Sequence, residues 1–287
     1  MKYEFITKNR SSFRVKKMCH ALKVSVSGYY TYTQRSKSNR QIANEKLLSE
    51  IRVIYKKRRG TYGSPRITDE LRDNGHGCGK NRVARLMKEN TIVAKTKRRF
   101  KVTTQSKHTH PIAQNLVNRD FSSDKPNRLW VSDITYLWTR EGWSYLAAVM
   151  DVYSRQIVGW DIGKRLTQDL VINALQRAVW RRKITDGLIF HSDRGSQYAG
   201  KAFRDMLSKH RMIQSMSGSG NCYDNAIMES FFHTLKTEHI YFERYDTRDD
   251  AKKSIFEYIE MFYNRVRKHS ALNYKSPAAF EELALAA

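Results

Sequence analysis

Three strand-like runs joined by very short connections constrain the fold of this 287-residue chain more than any other feature. The runs are RLWVSDITYLWT, WSYLAAVMDVYS and QIVGWDIG, with TREG between the first two and SR between the next two. Connections this short join only antiparallel neighbours, because a parallel pair needs a crossover of about a dozen residues or more. The chain is therefore predicted to begin a sheet here with three antiparallel strands.

The pattern then changes to helices that alternate with strands. TQDLVINALQRAVWRRK is a predicted helix, LIFHSD a short apolar strand, KAFRDMLSKHR a second helix and MIQSM a second strand. On the first helix Leu170, Ala174, Leu175 and Ala178 share one face. Strands that alternate with helices usually pair in parallel. The sequence thus predicts an α/β fold with a mixed sheet, and the order of its elements fits a ribonuclease-H-like layout.

Three carboxylates stand where such a sheet can bring them together. Asp133 interrupts the first run in WVSDITYL, Asp193 ends the short apolar strand in HSDRGSQY, and Glu229 lies on the helical pattern NCYDNAIMESFFHTLK. A carboxylate inside a strand is disfavoured and costly to bury, which favours a functional role for Asp133. Asp193 alone could be a turn residue and Glu229 alone an ordinary helix residue. Asp151, in AVMDVYS, also interrupts a strand and is the main competing candidate.

Such a trio suits metal-assisted chemistry on a phosphodiester. Two divalent ions about 3.5–4 Å apart activate the attacking oxygen and stabilise the leaving one, and Mg²⁺ needs only a few carboxylate oxygens. We expect Asp133 to bridge two ions, with Asp193 on one and Glu229 on the other. The glutamate could come from a movable helix, so that substrate or partner binding completes the site.

Three further residues are candidates for supporting these acids. Lys236 follows Glu229 by seven residues, so both lie on one helical face, where the lysine could contact a phosphate or be simply solvated. His191 lies two residues before Asp193 and could orient ligands or serve the core. Asn225, just before the helix that bears Glu229, is assigned to the same supporting group.

The charge of the chain points to a polyanionic partner. Lys and Arg number 53 against 28 Asp and Glu, a net charge of +25. Residues 1–120 hold 29 basic and 8 acidic side chains, whereas residues 121–287 hold 24 and 20. A basic first part and a nearly balanced second part indicate a nucleic-acid-binding region joined to a catalytic one. A basic surface without specificity is the alternative.

A helix-turn-helix pattern lies within the basic part. Residues 41–58 carry apolar residues on one helical face, RGTYGSP breaks that helix, and PRITDELRDNG and KNRVARLMKEN supply two more. The third helix is predicted to present basic side chains to double-stranded DNA, namely Lys80, Arg82, Arg85 and Lys88. A small structural bundle with a solvated basic face is the alternative. Arg98 and Arg99, in the following basic stretch, are further candidates for phosphate contacts.

Four segments are predicted. They are a basic helical N-terminal segment at 1–40, a helix-turn-helix-like DNA-binding domain at 41–94, a basic linker at 95–122, and a catalytic core with a C-terminal helical extension at 123–287. The scattered Cys19, Cys78 and Cys222 support neither a disulfide framework nor a metal knuckle. With no apolar run near the roughly 20 residues of a membrane span and no secretory signal, we expect a cytoplasmic, nucleoid-associated protein without a membrane partner.

The chain also resembles a known family. RGTYGSPRI, WVSDITYL, LAAVMDVYSR, HSDRGSQY, NCYDNAIMESFFHTLK and YNRVRKHSALNYKSP look like segments of OrfB-type transposases of bacterial insertion sequences, which have a retroviral-integrase-like catalytic core. The match extends over nearly the whole chain and includes the thirty-five residues between Asp193 and Glu229.

The resemblance implies an Asp-Asp-Glu transposase that uses Mg²⁺ or Mn²⁺. It implies cleavage at the element ends to free a 3′-hydroxyl, which then attacks another phosphodiester, with Lys236 on the DNA. It also implies a partner or fusion from an upstream reading frame, of which this chain is the downstream product. Because two element ends must be joined in concert, we expect a homo-oligomer on DNA. A nuclease of the same fold that never joins, and a DNA-binding regulator without activity, are the competing hypotheses.

Overall fold

The computed structural model describes residues 1–34, 36–95, 111–218 and 222–286. Three short helices come first, and they are α1 (Lys2–Asn9), α2 (Val15–Ala21) and α3 (Val26–Gln34). They surround a small core of their own, made of Ile6, Met18, Cys19 and Tyr29. The first 34 residues therefore form a separate helical cluster with its own buried side chains.

The three helices predicted within 41–94 are confirmed. They are α4 (Asn39–Lys57), α5 (Ser64–Asp73) and α6 (Lys80–Glu89). Ser38 and Gln41 form a capping box at the start of α4, and a proline occupies the first turn of α5. Gly75, with φ +82°, follows the end of α5, where only glycine adopts that backbone conformation without strain. These local signals explain why the helix boundaries were readable from the sequence.

The mixed sheet is also confirmed. Its strands are β1 (Leu129–Thr139), β2 (Gly142–Asp151), β3 (Ile157–Gly163), β4 (Ile189–Ser192) and β5 (Ile213–Met216), in the spatial order β3-β2-β1-β4-β5. β1 pairs with β2, and β2 with β3, in antiparallel fashion. β4 pairs in parallel with both β1 and β5. The helices between the later strands are α7 (Gln168–Arg181), α8 (Ser196–Ala199) and α9 (Lys201–Lys209).

Alternating residues of β1 and β2 divide the core into two layers. Trp130, Ala147 and Val149 pack with α7 and α9 on one face of the sheet. Val131 and Ala148 point to the other face, where they meet the C-terminal helices. Those helices are α10 (Ala226–Glu238), α11 (Arg248–Phe256), which continues as a π-helix over Glu257–Tyr263, and α12 (Pro277–Ala286). Helices thus cover both faces of the sheet, as in a ribonuclease-H-like fold.

The helix-turn-helix region packs on the C-terminal extension. The same apolar cluster that covers the α10 face of the sheet continues into α4, α5 and α6. The Tyr62 hydroxyl accepts a hydrogen bond from the backbone N–H of Lys268 at 2.8 Å and donates one to the carbonyl of Val266 at 3.3 Å. The Lys268 ammonium reaches Asp69 and Asp73 on α5, each at 2.5 Å. Helix α5 therefore contacts the C-terminal extension directly.

A close contact between β3 and α7 leads to a prediction about stability. A Cβ atom at Gly159 would lie 2.3 Å from the carbonyl oxygen of Ala174 and 2.7 Å from the backbone nitrogen of Ala178. Because backbone atoms cannot swing aside, Gly159→Ala is expected to push the helix off the strand and lower the free energy of unfolding by about 3 kcal/mol. Gly77→Ala is the matched control, since a Cβ there would meet nothing within 4 Å. Urea unfolding of both variants measures the difference, and equal stabilities would contradict the prediction.

Across the described ranges of the chain, none of the helices combines the length and apolar character needed to cross a bilayer.

Candidate active site

The parallel pairing of β1 with β4 sets two of the three acids side by side. Val131 of β1 lies opposite His191 of β4. Extending this register by two residues puts Asp133 opposite Asp193, on neighbouring strands about 4.8 Å apart. Glu229 lies in the first turn of α10, and α10 packs against β1. Two adjacent inner strands and one helix thus bring the three carboxylates to the same region, near the carboxyl end of β4.

The electrostatics of Asp133 show that the three carboxylates share one environment. Burial raises the pKa of Asp133 well above its usual range, and the charges of Asp193 and Glu229 raise it further. A hydrogen bond of 2.7 Å from the Ile134 N–H to Oδ1 opposes the shift, as does the charge of Lys236. The site therefore holds more negative charge than its own cations neutralise.

The three carboxylates do not meet at one point in this structure. Over residues 1–34, 36–95, 111–218 and 222–286, no three His, Cys, Asp or Glu side chains converge closely enough to hold one metal ion. Asp133 and Asp193 are partly buried, whereas Glu229 is exposed. The donor set still fits Mg²⁺ or Mn²⁺, because clustered carboxylate oxygens with uncompensated charge are what such ions prefer. Asp133 and Asp193 would form one half of such a site, and Glu229 would have to approach them to complete it.

Turn chemistry orients Asp193. Its Oδ1 accepts a hydrogen bond of 2.9 Å from the Gly195 N–H, as expected for an Asp-Arg-Gly turn. The turn interpretation of Asp193 is thus confirmed, and a turn residue in this position can also serve a catalytic site. Lys236 is partly exposed, and its Nζ lies 5.3 Å from the centre of the Tyr136 ring. Burial lowers the pKa of Lys236 and the Asp133 carboxylate opposes that change, which sets the lysine beside the acids.

Asn225 ties the start of α10 to β1. Its Nδ2 donates a hydrogen bond of 3.0 Å to the carbonyl of Ser132, the residue before Asp133. Its Oδ1 is buried and has no hydrogen-bond partner within the part of the chain that the structure describes. One side of this amide therefore fixes the distance between Asp133 and the helix that carries Glu229.

His191 does not reach the carboxylates and instead supports the turn before α10. Its Nε2 donates to the carbonyl of Asp224 and its Nδ1 accepts from the hydroxyl of Ser215, each at 2.8 Å. The imidazole is buried, and burial lowers its pKa, so the ring is held neutral. Of the two roles considered from the sequence, the geometry places His191 in the core behind the site.

A substitution at His191 tests this positioning role. His191→Phe keeps a ring but leaves the Asp224 carbonyl and the Ser215 hydroxyl without their partner. We expect the free energy of unfolding to fall by about 1–3 kcal/mol and the metal-dependent activity by about 10- to 100-fold, with unchanged DNA affinity. Urea unfolding, an activity assay and a DNA titration measure the three quantities. Full activity in a folded His191→Phe protein would count against the role.

Sequence reasoning missed Asp224, the residue that holds this turn together. Its carboxylate accepts hydrogen bonds from the Gly218 N–H at 2.7 Å, the Asn115 side chain at 3.1 Å and the Arg119 guanidinium at 3.2 Å. These contacts, led by the Gly218 hydrogen bond, lower the pKa of Asp224. Residues 111–122, which were predicted to belong to the linker, thus lie against the turn before α10 and against β5. The only sequence signal was an acid directly before Asn225.

Asp151, the competing candidate, lies outside the site. It ends β2 opposite Trp130 and is fully buried. Its carboxylate accepts hydrogen bonds from the backbone N–H groups of Asn127 at 2.8 Å and Tyr153 at 3.1 Å. Burial raises the pKa of Asp151 to about 6. These contacts describe an acid that fixes two turns.

The basic residues predicted to meet DNA are only partly free to do so. Lys80, Arg85 and Lys88 are exposed on α6. Arg82 is half-buried and donates a hydrogen bond of 2.9 Å to Asn44 on α4, so it also joins two helices. Arg98 and Arg99 lie outside the described residues.

The mixed five-stranded sheet with helices on both faces has the fold of an integrase core. Residues 123–222 and 229–285 match two family models that are each described as an integrase core domain, and residues 42–100 match an HTH-like domain. A solved intasome of simian T-cell lymphotropic virus, in complex with PP2A regulatory subunit B56 gamma, covers 77% of this chain and 70% of its own at 16% identity and a TM-score of 0.48.

Full-length relatives narrow the class to a family. The chain is 42% identical, over 100% of both sequences, to transposase InsF for insertion sequence IS3A of Escherichia coli strain K12. It is 47% identical to a 31 kDa uncharacterized protein of insertion element IS600 of Shigella sonnei, over 92% of this chain and 97% of that one. The chain belongs to the IS3-family insertion-sequence transposases with an integrase core, and its enzyme class is that of polynucleotidyl transferases.

Proposed function

We propose that Asp133, Asp193 and Glu229 hold divalent metal ions, and that the chain uses them to cut DNA at the ends of an insertion sequence and join those ends to new DNA. The observation that carries the proposal is that β1 with Asp133, the end of β4 before Asp193 and the first turn of α10 with Glu229 adjoin one another. In keeping with this, the charges of Asp193 and Glu229 both raise the pKa of Asp133. A stable protein gains nothing from such repulsion, whereas a site for a divalent cation requires it.

Two Mg²⁺ or Mn²⁺ ions, held by Asp133, Asp193 and Glu229, would activate the attacking oxygen and stabilise the leaving one. The residues of the chain have the remaining tasks. Asp133 and Asp193 stand on paired strands and form the rigid part of the site. Glu229 enters from α10 when DNA is bound, and Lys236 contacts a phosphate beside the acids. Asn225 and His191 hold the start of α10 in register with β1.

The reaction needs two displacements at phosphorus. Water attacks the phosphodiester at the element end, the P–O3′ bond breaks, and a 3′-hydroxyl is released. That hydroxyl then attacks a second phosphodiester, so that a new ester bond forms as an old one breaks. Each step exchanges one phosphorus–oxygen bond for another, which is why positioning and charge stabilisation suffice for catalysis.

DNA recognition is proposed to come mainly from the basic first part of the chain. The exposed Lys80, Arg85 and Lys88 of α6, together with Arg82, Arg98 and Arg99, are the candidate contacts to double-stranded DNA. The proposal includes domain boundaries after residues 40, 94 and 122, which separate the N-terminal segment, the DNA-binding domain, the linker and the catalytic core. A homo-oligomer would hold two element ends at once, and an upstream-frame product would be its partner or fusion. Acting on such ends would place the protein at the nucleoid.

A strand-transfer assay tests the proposed function. The substrate is a duplex with the terminal sequence of the element, already cleaved to expose the 3′-hydroxyl, and the target is a supercoiled plasmid. We expect joined products with Mg²⁺ or Mn²⁺ and none with EDTA. Cutting of uncleaved ends without joining would favour the nuclease hypothesis. DNA binding with neither reaction, in the presence of the upstream product, would favour the regulator.

A further inference from the structure

A cavity of about 190 Å³ opens on the flank of α10, next to the face that carries Glu229. Ser230 and Thr234 of α10 lie on its wall, and three arginines from distant parts of the chain complete it. Arg66 comes from α5, Arg155 from the turn between β2 and β3, and Arg267 from the segment after the π-helix. Arginines gathered in this way from three segments are costly to bring together unless an anion joins them.

The positive charge of the cavity is only partly neutralised. Glu238 forms an ion pair with Arg267 at 2.6 Å and a longer one with Arg66 at 3.6 Å. For the Arg155 guanidinium, neither an ion pair nor a hydrogen bond is present among the residues that the structure describes. Burial lowers the pKa of Arg155, so this cation is held with incomplete hydration and without a partner.

The pKa of the neighbouring His269 reflects the same positive charges. Burial, followed by the charges of Arg267, Arg66 and Arg155, lowers the pKa of His269 to about 2. The neutral ring lies 3.3 Å from the Arg267 guanidinium. The neutral His269 ring adds no charge to the cavity. The net charge there is therefore positive, because three arginines face a single carboxylate, that of Glu238.

We propose that this cavity binds a backbone phosphate of the DNA strand next to the reacting phosphodiester, with Arg155 as its principal contact. The inference rests on the proposed function, since it assumes that DNA lies across α10. Two observations favour a phosphate. The volume is below the roughly 300 Å³ at which pockets begin to accept drug-sized molecules. A guanidinium fork also matches phosphate oxygens in geometry.

The position of the cavity favours DNA over a free anion. Ser230 is exposed at the mouth and directly follows Glu229, so their Cα atoms are about 3.8 Å apart. A DNA strand that crosses the first turns of α10 would therefore meet both the proposed carboxylate site and the mouth of the cavity. The cavity would fix the register of the strand, while the carboxylates act on it.

DNA titrations of the full chain in EDTA test the assignment. We expect Arg155→Gln to weaken binding to the element-end duplex on the order of tenfold and to make the dependence of log K on log salt shallower by about one unit. Arg211→Gln is the matched control, because Arg155 and Arg211 have positive φ values of 59° and 53° and Arg211 is exposed elsewhere. Identical slopes for the two variants would overturn the proposal.

Two further variants protect the test against misfolding. Arg155→Lys keeps the charge and is expected to keep the wild-type slope. Ser230→Glu adds a negative charge at an exposed helical position and is expected to weaken binding as Arg155→Gln does. Wild-type binding by a Ser230→Glu protein would also overturn the proposal.

A last pair of probes separates the two sources of phosphate. A duplex with one neutral methylphosphonate near the cleavage position should bind more weakly to the wild type but not to Arg155→Gln, because the same contact is already lost. If inorganic phosphate raises the melting temperature of the wild type and not of Arg155→Gln, while the neutral linkage affects both proteins equally, the cavity takes a free anion and the DNA assignment fails. The DNA titrations and melting temperatures require no catalysis. Their results would therefore stay the same if the proposed metal site proved wrong.

Discussion

Replacing Asp133 by asparagine is expected to abolish joining while making the metal-free protein more stable at neutral pH. Burial and the charges of Asp193 and Glu229 all act against the ionised form of Asp133. Asparagine is nearly the same size and carries no charge, so it removes that repulsion and keeps an oxygen for the Ile134 N–H. It also removes the anionic oxygens that would bridge the ions. We expect a loss of about 1000-fold or more in joining.

The metal response distinguishes this explanation from a structural one. A cation that binds only the folded state raises its stability, so Mg²⁺ or Mn²⁺ should raise the melting temperature of the wild type. The same ions should have little effect on Asp133→Asn, and Asp193→Asn and Glu229→Gln should behave alike in the joining assay. Affinity for DNA in EDTA should be retained in all three variants. The two effects, a higher melting temperature without metal and a smaller rise with it, should appear together.

Asp151→Asn is the control for a buried strand carboxylate. Asp151 is also buried and its pKa is also raised, yet its partners are the turns around Asn127 and Tyr153. We expect this variant to keep joining activity and the thermal response to Mg²⁺. If Asp133→Asn joined DNA at the wild-type rate, or if Asp151→Asn abolished joining in a folded protein, the assignment of the acids would be wrong.

The contrast between these two aspartates shows what a sequence pattern can and cannot decide. Both interrupt an apolar run, and nothing local distinguishes them. The parallel register of β1 and β4 does so, because extending it by two residues from Val131 and His191 puts Asp133 opposite Asp193, while Asp151 caps turns at the end of β2. The mixed sheet followed from short connections and from alternating helices and strands, which are local signals, and it was therefore predictable. The register between β1 and β4 has no such local signal.

Features that depend on distant partners were not predictable. Asp224 gains its role from Asn115 and Arg119, which lie more than a hundred positions away. Tyr62 meets the backbone of Lys268 across 206 positions. No periodicity or capping signal encodes such pairs, since they arise only when separately folded elements pack. The exposed position of Glu229 is set by how α10 packs on the sheet, and the sequence indicated only that this glutamate could come from a movable helix.

Arg267 is predicted to be the most sensitive charged residue for stability. Its guanidinium binds Glu238 through Nε at 2.8 Å and Nη2 at 2.6 Å, and both side chains are more than nine-tenths buried. Burial alone would lower the pKa of Arg267, but the hydrogen bond and charge of Glu238 raise it above its ordinary value. Glu238 is the last residue of α10, so this pair fastens the helix that bears Glu229 to the C-terminal segment.

Removing one partner should cost far more than removing both. Arg267→Met leaves the Glu238 carboxylate buried with only the 3.6 Å contact to Arg66 and a 3.3 Å hydrogen bond from the Tyr258 hydroxyl, and we expect the free energy of unfolding to fall by about 3–5 kcal/mol. The double variant Arg267→Met with Glu238→Gln removes both charges of the buried pair, although Arg66 loses its longer contact to Glu238, and it should recover most of that loss. Arg211→Met removes an exposed pair with Asp186 and should change stability by less than about 0.5 kcal/mol. Urea unfolding followed by circular dichroism and tryptophan fluorescence compares the three proteins. A double variant as unstable as the single one would mean that Arg267 acts through packing, and that α10 is held in place by shape and not by this charge pair.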